Sequence, residues 1–188
     1  LCGSEENVVN MVRMLVDRYA DGPRRALRGT LKHEMPLEYP EVGVYHPCLP
    51  TRIAELADKL PRNGKRGTVG VLLMRSYPLA GNTAHYDGVL KALEARGLNV
   101  VPAFSSGLDA RPAVEQFFMK DGKATVDAVV SLTGFSLVGG PAYNDAKAAE
   151  DLLAQLDVPY LAAHPVEFQT LEQWASSERG LLPVESTI

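Results

Sequence analysis

From Val42 onward the chain alternates short apolar runs with longer segments of helical spacing, and this alternation constrains the fold more than any other feature. The apolar runs, which are typical of buried strands, are residues 42–45, 69–73, 100–104, 128–132 and 159–162. The helical segments are residues 51–60, 82–96, 112–119 and 144–156. Strands that alternate with helices predict an α/β fold built on a doubly wound parallel sheet of the flavodoxin or Rossmann type.

Residues 1–40 precede this alternation and predict a helical arm followed by a connector. Ser4 is a good helix N-cap, and acidic residues follow it at the positive end of the helix dipole. Apolar residues then share one helix face, and the helix should end near Gly22. The residues of that face are Val8, Val12, Leu15, Val16 and Tyr19. We therefore expect an arm over residues 1–40 and an α/β domain over residues 41–188.

Charge, hydropathy and cysteine content exclude several classes of protein. A net charge of −4 and a sequence pI near 5.6 argue against a nucleic-acid backbone as the main partner. No apolar run approaches the ~18 residues that cross a bilayer. Two cysteines cannot form a disulfide scaffold, so a reducing cytoplasm is the expected location. The sequence contains no phosphate-binding loop and no GxGxxG motif, so we do not expect this chain to hydrolyse a nucleotide by itself.

Two loops lie where open parallel sheets bind ligands, at the carboxyl ends of strands. The first, residues 75–86, contains Arg75 and enters a helix that Asn82 or Thr83 should cap, so a guanidinium and free amides can hold a carboxylate or phosphate there. The second, residues 133–141, has three glycines that permit close backbone approach to a ligand. The structural alternatives are a solvated Arg75 and chain turns that only need small residues.

Three histidines follow predicted strands or begin the next helix. We expect His46, His85 and His164 to lie at one edge of the sheet, where neutral imidazole can accept a proton or ligate a metal. An ordinary strand-terminating His-Pro step is the alternative for His46 and His164. Farther along the chain, Glu167 and Glu185 offer the oxygen ligands that Mg²⁺ prefers, with a surface role as the alternative for Glu167.

Several segments resemble the large porphyrin-binding H subunit of magnesium chelatase, and together they cover nearly the whole chain. The longest block, residues 126–141, reads VDAVVSLTGFSLVGGP and is long enough to be specific. The other segments are residues 7–12, 75–76, 79–82, 85–89, 93–97, 165–170 and 182–185. The cobalt-inserting large subunit of cobalamin synthesis has a similar Leu-Ala-Gly-Asn-Thr loop. The HYDG at 85–88 and the GGP at 139–141 are more similar to the magnesium branch, and to its bacteriochlorophyll version in particular.

The resemblance implies an ATP-dependent ligase that inserts Mg²⁺ into protoporphyrin IX in chlorophyll or bacteriochlorophyll synthesis. It further implies that ATP is hydrolysed by two smaller AAA+ partner subunits, and that this chain is a fragment of a longer polypeptide and is inactive alone. On this interpretation the expected proton acceptors are His85, His46 and Glu185. The expected porphyrin contacts are Arg75, Asn82, Tyr86, Thr133, Gly134, Phe135, Gly139 and Gly140. Arg75 would bind a propionate, and Tyr86 or Phe135 would stack on the ring.

Two other functions stay open at this point. The segment can be a scaffold that docks the motor subunits or other parts of its own chain, in this or the cobalt enzyme, without touching porphyrin. It can also be a free-standing flavodoxin-like nucleotide binder, which the missing motifs disfavour. Residues 185–188 have strand character, so we expect a domain truncated at its C-terminal end, with an unpaired edge that favours self-association. A cytoplasmic location is expected, with peripheral attachment to photosynthetic membranes as the alternative.

Overall fold

The structure is a computed structural model that describes residues 3–140, 143–164, 166 and 168–183. The chain divides into two compact units, residues 1–40 with 76–83 and residues 41–75 with 84–188. The strands are β1 Val42–Tyr45, β2 Ile53–Ala54, β3 Thr68–Met74, β4 Asn99–Ser105, β5 Met119–Lys120, β6 Lys123–Ala124, β7 Ala128–Ser131, β8 Gly139–Gly140, β9 Tyr143–Asn144 and β10 Tyr160–Ala162. The helices are α1 Glu5–Tyr19, α2 Ser76–Ala80, α3 Ala84–Glu94, α4 Arg111–Phe117, α5 Ala146–Leu156 and α6 Leu171–Ser176, with a 3₁₀ helix over Gly22–Leu27.

A six-stranded sheet with the order β10-β7-β3-β4-β1-β2 organises the second unit. Its four strands β10, β7, β3 and β4 are parallel. β3 and β4 pair along their whole lengths, from Thr68 opposite Asn99 to Met74 opposite Ser105. The inner positions of both strands are buried at consecutive residues, which explains why the sequence is continuously apolar rather than alternating. The α/β class and the strand character of these runs are confirmed.

The first predicted strand runs against its neighbour, so the expectation of an all-parallel sheet is wrong at β1. This strand pairs antiparallel with β4, from Val42 opposite Ser105 to Val44 opposite Ala103. If β1 were parallel to its neighbours, the chain after it would have to cross back over the sheet, and such crossovers usually contain a helix. The helix predicted over residues 51–60 is absent from this described segment. Arg52 has a φ of 60°, and β2 folds back on β1 as an antiparallel neighbour instead.

The core of the second unit is packed tightly around Phe118. A Cβ at Gly70 of β3 would lie 2.8 Å from the Phe118 ring, so the strand and the ring approach each other as closely as they do only because residue 70 is glycine. Leu72 and Val129 of neighbouring strands join the same buried cluster. β5 and β6 form a short antiparallel hairpin, with Lys120 opposite Lys123.

The first unit contains α1, whose N-terminus is as predicted. Ser4 Oγ accepts a hydrogen bond from the Asn7 N–H at 3.3 Å, which is the expected N-cap. The helix packs through a polar side against residues 31–37. Four hydrogen bonds make this contact: Asn7 Nδ2 to the Leu37 carbonyl (2.9 Å), Leu37 N–H to Asn7 Oδ1 (2.7 Å), Glu34 N–H to Asn10 Oδ1 (3.3 Å) and Leu31 N–H to Asp17 Oδ1 (2.8 Å).

No described helix combines the length and the apolar character that crossing a membrane requires.

Candidate functional site

A small cleft opens where β3, β4 and β7 end side by side. The last residues of these strands line it, together with residues 107–110, 133 and 135–137 of the loops that follow β4 and β7. Its volume is about 20 Å³, which is room for about one water molecule. The buried hydroxyls of Ser105 and Ser131 give a largely apolar wall two polar points. This carboxyl edge of the parallel strands is the edge at which the sequence predicts a ligand.

The loop after β7 begins with a tight turn held by Thr133. Thr133 Oγ1 lies 3.0 Å from Ser131 Oγ and accepts a hydrogen bond from the Phe135 N–H at 3.2 Å. Gly134 has a φ of 73°, a conformation that glycine adopts without steric cost. The turn therefore holds Thr133 and the half-buried Phe135 at the cleft, with Gly134 between them.

The glycines farther along this loop have a structural purpose. Gly139 has a φ of 97°, and a Cβ there would lie 2.1 Å from the Tyr143 carbonyl oxygen. Gly140 pairs with Tyr143 in the β8–β9 hairpin. The hairpin itself therefore requires glycine at position 139. This agrees with the alternative interpretation of the loop, in which the glycines serve chain turns that need small residues.

The loop after β4 is a part of the cleft that the sequence interpretation missed. Asp109 and Val138 form an isolated antiparallel bridge, the Ala110 N–H donates to the Leu137 carbonyl at 3.0 Å, and the Gly139 N–H donates to the Leu108 carbonyl at 3.0 Å. The loops after β4 and β7 thus form one hydrogen-bonded layer. A Ser-Ser-Gly-Leu-Asp sequence directly after an apolar run was the available signal.

Asp109 brings a charged pair to this layer. The Arg111 guanidinium donates to the Asp109 carboxylate at 2.6 to 3.0 Å, and the Arg111 N–H donates to Asp109 Oδ1 at 2.9 Å. The hydrogen bonds from the Arg111 side chain hold the pKa of Asp109 below its ordinary value. The carboxylate therefore stays ionised beside the cleft at neutral pH.

Near the end of β3, the side chains of Arg75 and Tyr86 are more buried than those of an exposed ligand-binding loop. The Arg75 side chain is 14% exposed, with Nη2 3.9 Å from Glu41 Oε1. Tyr86 is 1% exposed, and its hydroxyl oxygen accepts a hydrogen bond from the Met74 N–H at 3.2 Å. The Tyr86 ring is part of the core in this structure, so stacking on a porphyrin would require it to move. His85 is exposed next to it, with ring centroids 3.9 Å apart.

The segment predicted as a continuous loop before the helix has more structure than expected. Residues Ser76–Ala80 form α2, and α3 begins at Ala84, after the buried Thr83. Asn82 is exposed, and its backbone N–H donates to the Tyr77 carbonyl at 3.0 Å. Asn82 belongs to the first unit, whereas Arg75 and His85 belong to the second.

His46 lies at the opposite end of the sheet, so the expectation of three imidazoles at one edge is wrong. Because β1 is antiparallel to β4, the residue after β1 reaches the amino end of β4, where His46 lines a surface depression of about 430 Å³ with Asn99. His46 is 4% exposed, with Nε2 3.1 Å from Glu94 Oε1, and Nδ1 accepts a hydrogen bond from the Cys48 N–H at 3.2 Å. Both ring nitrogens are therefore engaged within the protein.

The sequence also predicts two carboxylates near the end of the chain. Glu185 and Glu167 both lie outside the described residues. His164 is exposed just after β10. Within the described ranges, no group of three or more histidine, cysteine, aspartate or glutamate side chains is arranged to hold a metal ion.

The carboxyl edge is shallow. Drug-sized ligands occupy pockets of about 300 to 1,000 Å³, far larger than this cleft. The described residues can therefore contact one edge or one substituent of a large ligand. They can offer it hydroxyl groups, the half-buried ring of Phe135 and the opposite charges of Asp109 and Arg111.

Comparisons with known proteins match the chain from end to end. The family described as CobN/Magnesium Chelatase matches residues 1–188. The magnesium-chelatase H subunit of Cereibacter sphaeroides is 56% identical over 100% of this chain and 16% of its own length. The chloroplastic ChlH subunit of magnesium chelatase from Oryza sativa subsp. indica is 37% identical over 98% of this chain and 14% of its own length.

The fold is similar to that of a solved chelatase structure. The catalytic subunit of cobaltochelatase from Mycobacterium tuberculosis superposes with a TM-score of 0.58 at 23% identity, over 98% of this chain and 14% of that chain. The chain thus spans about one sixth or less of the length of each of these relatives.

Proposed function

Because the chain belongs to the CobN/magnesium chelatase family, we propose that it is one segment of a large subunit that binds protoporphyrin IX and hosts the insertion of Mg²⁺. The observation that carries this proposal is the 56% identity to a magnesium-chelatase H subunit along the entire chain. Identity to the cobaltochelatase structure is 23%, so the magnesium branch is favoured over the cobalt branch.

The insertion exchanges two protons for one metal ion. Two pyrrole N–H groups lose their protons, and the macrocycle nitrogens bind Mg²⁺, an ion that gives up its water reluctantly. In our proposal the exposed imidazole of His85 accepts a proton, and Arg75 binds a porphyrin propionate. The turn at Thr133–Phe135 contacts the edge of the ring. ATP is used by partner subunits of the AAA+ type, and the assembly works in the cytoplasm.

A scaffold function is the second candidate, and the small volume of the cleft favours it. A cleft of about 20 Å³ encloses no macrocycle. In the scaffold alternative this edge packs against other parts of the same subunit or against the motor subunits, and porphyrin binds elsewhere. The two candidates make different predictions for variants of Arg75.

Replacing Arg75 by alanine in the full-length subunit is the test. A desolvated charge-assisted contact contributes about 1.5 to 3 kcal/mol, so Arg75→Ala should weaken binding of a soluble dicarboxylic porphyrin about 10- to 100-fold. Absorbance in the Soret region, titrated with porphyrin, measures the affinity.

Glu41→Gln is the matched control, because it removes the charge that faces Arg75 at 3.9 Å and leaves the guanidinium in place. If Arg75 binds a propionate, this variant keeps or increases the porphyrin affinity. A parallel loss in both variants would mean that the ion pair only stabilises the loop. Wild-type affinity in both variants would favour the scaffold function.

A further inference from the structure

The apolar face of α1 is exposed along the whole helix. Val8, Val12, Leu15 and Tyr19 follow one another at spacings of four, three and four residues, so they form a single stripe at 100° per residue. Val12 is 48% exposed and Tyr19 is 67% exposed. Amphipathic helices of globular proteins bury a stripe of this kind against a neighbouring element.

The helix cannot bury this stripe by rotating, because the opposite face of the helix already forms hydrogen bonds with residues 31–37. Asn7, Asn10 and Asp17 lie on the far side of the helix and bind the backbone of residues 31–37. Asn7 is 1% exposed, and its amide both donates to and accepts from Leu37. Rotation would leave these backbone groups without their hydrogen bonds, and an unpaired buried donor loses the full free energy of its solvation.

We propose that this stripe packs against an α-helix from another part of the same polypeptide. The inference rests on the proposal that the chain is one segment of a longer subunit, and the relatives are about six times as long as the segment that matches. The alternating spacing of three and four residues is the spacing of helix-on-helix packing. Within one chain, such a contact forms without the loss of translational freedom that separate molecules incur.

The size of the stripe argues against a second copy as the occupant. Fifteen residues give a helix about 22 Å long, and with a width of about 10 Å its footprint is roughly 200 Å². A specific interface between separate molecules buries about 800 Å² on each partner. The stripe alone is therefore too small to hold two molecules together.

The charge of α1 argues against a membrane surface. The helix carries three acidic residues and two basic ones. Helices that lie on anionic membranes are rich in lysine and arginine on the polar face. The polar face here also binds residues 31–37 and so does not face water and lipid headgroups.

Cysteine accessibility in the full-length subunit tests the proposal. Val12→Cys and Leu15→Cys place small thiols on the stripe, and Met35→Cys, at a position that is 84% exposed, is the matched control. Alkylation rates are followed at the peptide level by mass spectrometry, and each is divided by the rate of the same variant in urea. We expect the two stripe thiols to react at least tenfold more slowly than the control in the subunit alone, with no change on dilution.

Three results would overturn the proposal. Stripe thiols that react as fast as the control thiol would show that nothing covers the stripe. Protection that disappears on dilution would assign the stripe to a second copy. Protection that requires added ATPase subunits or anionic lipid vesicles would assign it to those partners. The measurement involves no porphyrin, so its result is independent of whether this segment binds one.

Discussion

His46 is buried and His85 is exposed. His46 Nε2 lies 3.1 Å from Glu94 Oε1, and Nδ1 already accepts a hydrogen bond from the Cys48 N–H. To act catalytically, His46 would have to release one of these partners. His85 is exposed at the start of α3, on the carboxyl edge of the parallel strands. His85 is therefore the stronger candidate for a proton acceptor.

Replacing His85 by alanine should lower the rate of Mg²⁺ insertion and leave the porphyrin affinity nearly unchanged. A general base acts in the transition state and contributes about 10²- to 10⁴-fold to the rate. Stopped-flow insertion assays with the complete enzyme measure the rate, and His33→Ala, in the exposed connector, is the control. An effect of His85→Ala on affinity alone would make His85 a binding or packing residue.

The Asp109–Arg111 pair predicts a specific pH dependence of stability. The pKa of Asp109 in the folded protein lies below its ordinary value of 3.8 because Arg111 donates hydrogen bonds to the carboxylate. A depressed pKa contributes stability that is present above the ordinary value and is lost as the pH falls through the folded value. The urea midpoint of the 188-residue chain should therefore fall more between pH 5 and pH 3 than that of Asp109→Asn. Equal falls in the two proteins would contradict this assignment.

At the scale of elements, strand direction decides which loops meet. The parallel strands and their burial follow from continuous apolar runs, which is why the sequence predicts them correctly. An apolar run such as residues 42–45 has no direction of its own, so the antiparallel pairing of β1 does not follow from it. The direction depends on the connection, where spacing predicts a helix but Arg52 adopts a positive φ. His46 lies at the other edge for this reason alone.

The candidate site is predictable in part for a similar reason. Thr133 and Phe135 line the cleft because they directly follow a correctly predicted strand. Asp109 escapes prediction because its contact with Val138 joins two loops far apart in sequence. The ring of Tyr86 is buried although the sequence predicts a ligand contact, since burial of one helix residue depends on packing that periodicity does not specify.

The β8–β9 hairpin predicts that two glycines differ in their tolerance of alanine. Gly139 and Gly107 both have positive φ, and alanine in that region costs about 1 to 2 kcal/mol in strain. A Cβ at 107 meets nothing within 4 Å, whereas one at 139 would lie 2.1 Å from the Tyr143 carbonyl oxygen. Gly139→Ala should therefore reduce the free energy of unfolding, measured in urea, by more than Gly107→Ala does. Equal losses of unfolding free energy in the two variants would show that the hairpin accommodates the added methyl group by a small shift of its backbone.

At the scale of the whole molecule, the segment is small relative to the porphyrin that we propose it helps to bind. The relatives that it matches are about six times its length, and its carboxyl-edge cleft holds about 20 Å³. In the proposed function the porphyrin is therefore enclosed jointly by this edge and by other parts of the polypeptide. The two edges of the sheet provide an internal comparison, because only the carboxyl edge is proposed to face the ligand.

Hydrogen–deuterium exchange of the full-length subunit, with and without a soluble dicarboxylic porphyrin, tests this claim most directly. At saturating porphyrin we predict slower amide exchange in the carboxyl-edge loops, residues 106–110 and 133–139. Residues 61–67 and 97–99, at the amino edge, should exchange at the same rate with and without the ligand. Unchanged exchange in both carboxyl-edge loops, in a subunit that demonstrably binds the porphyrin, would contradict the account.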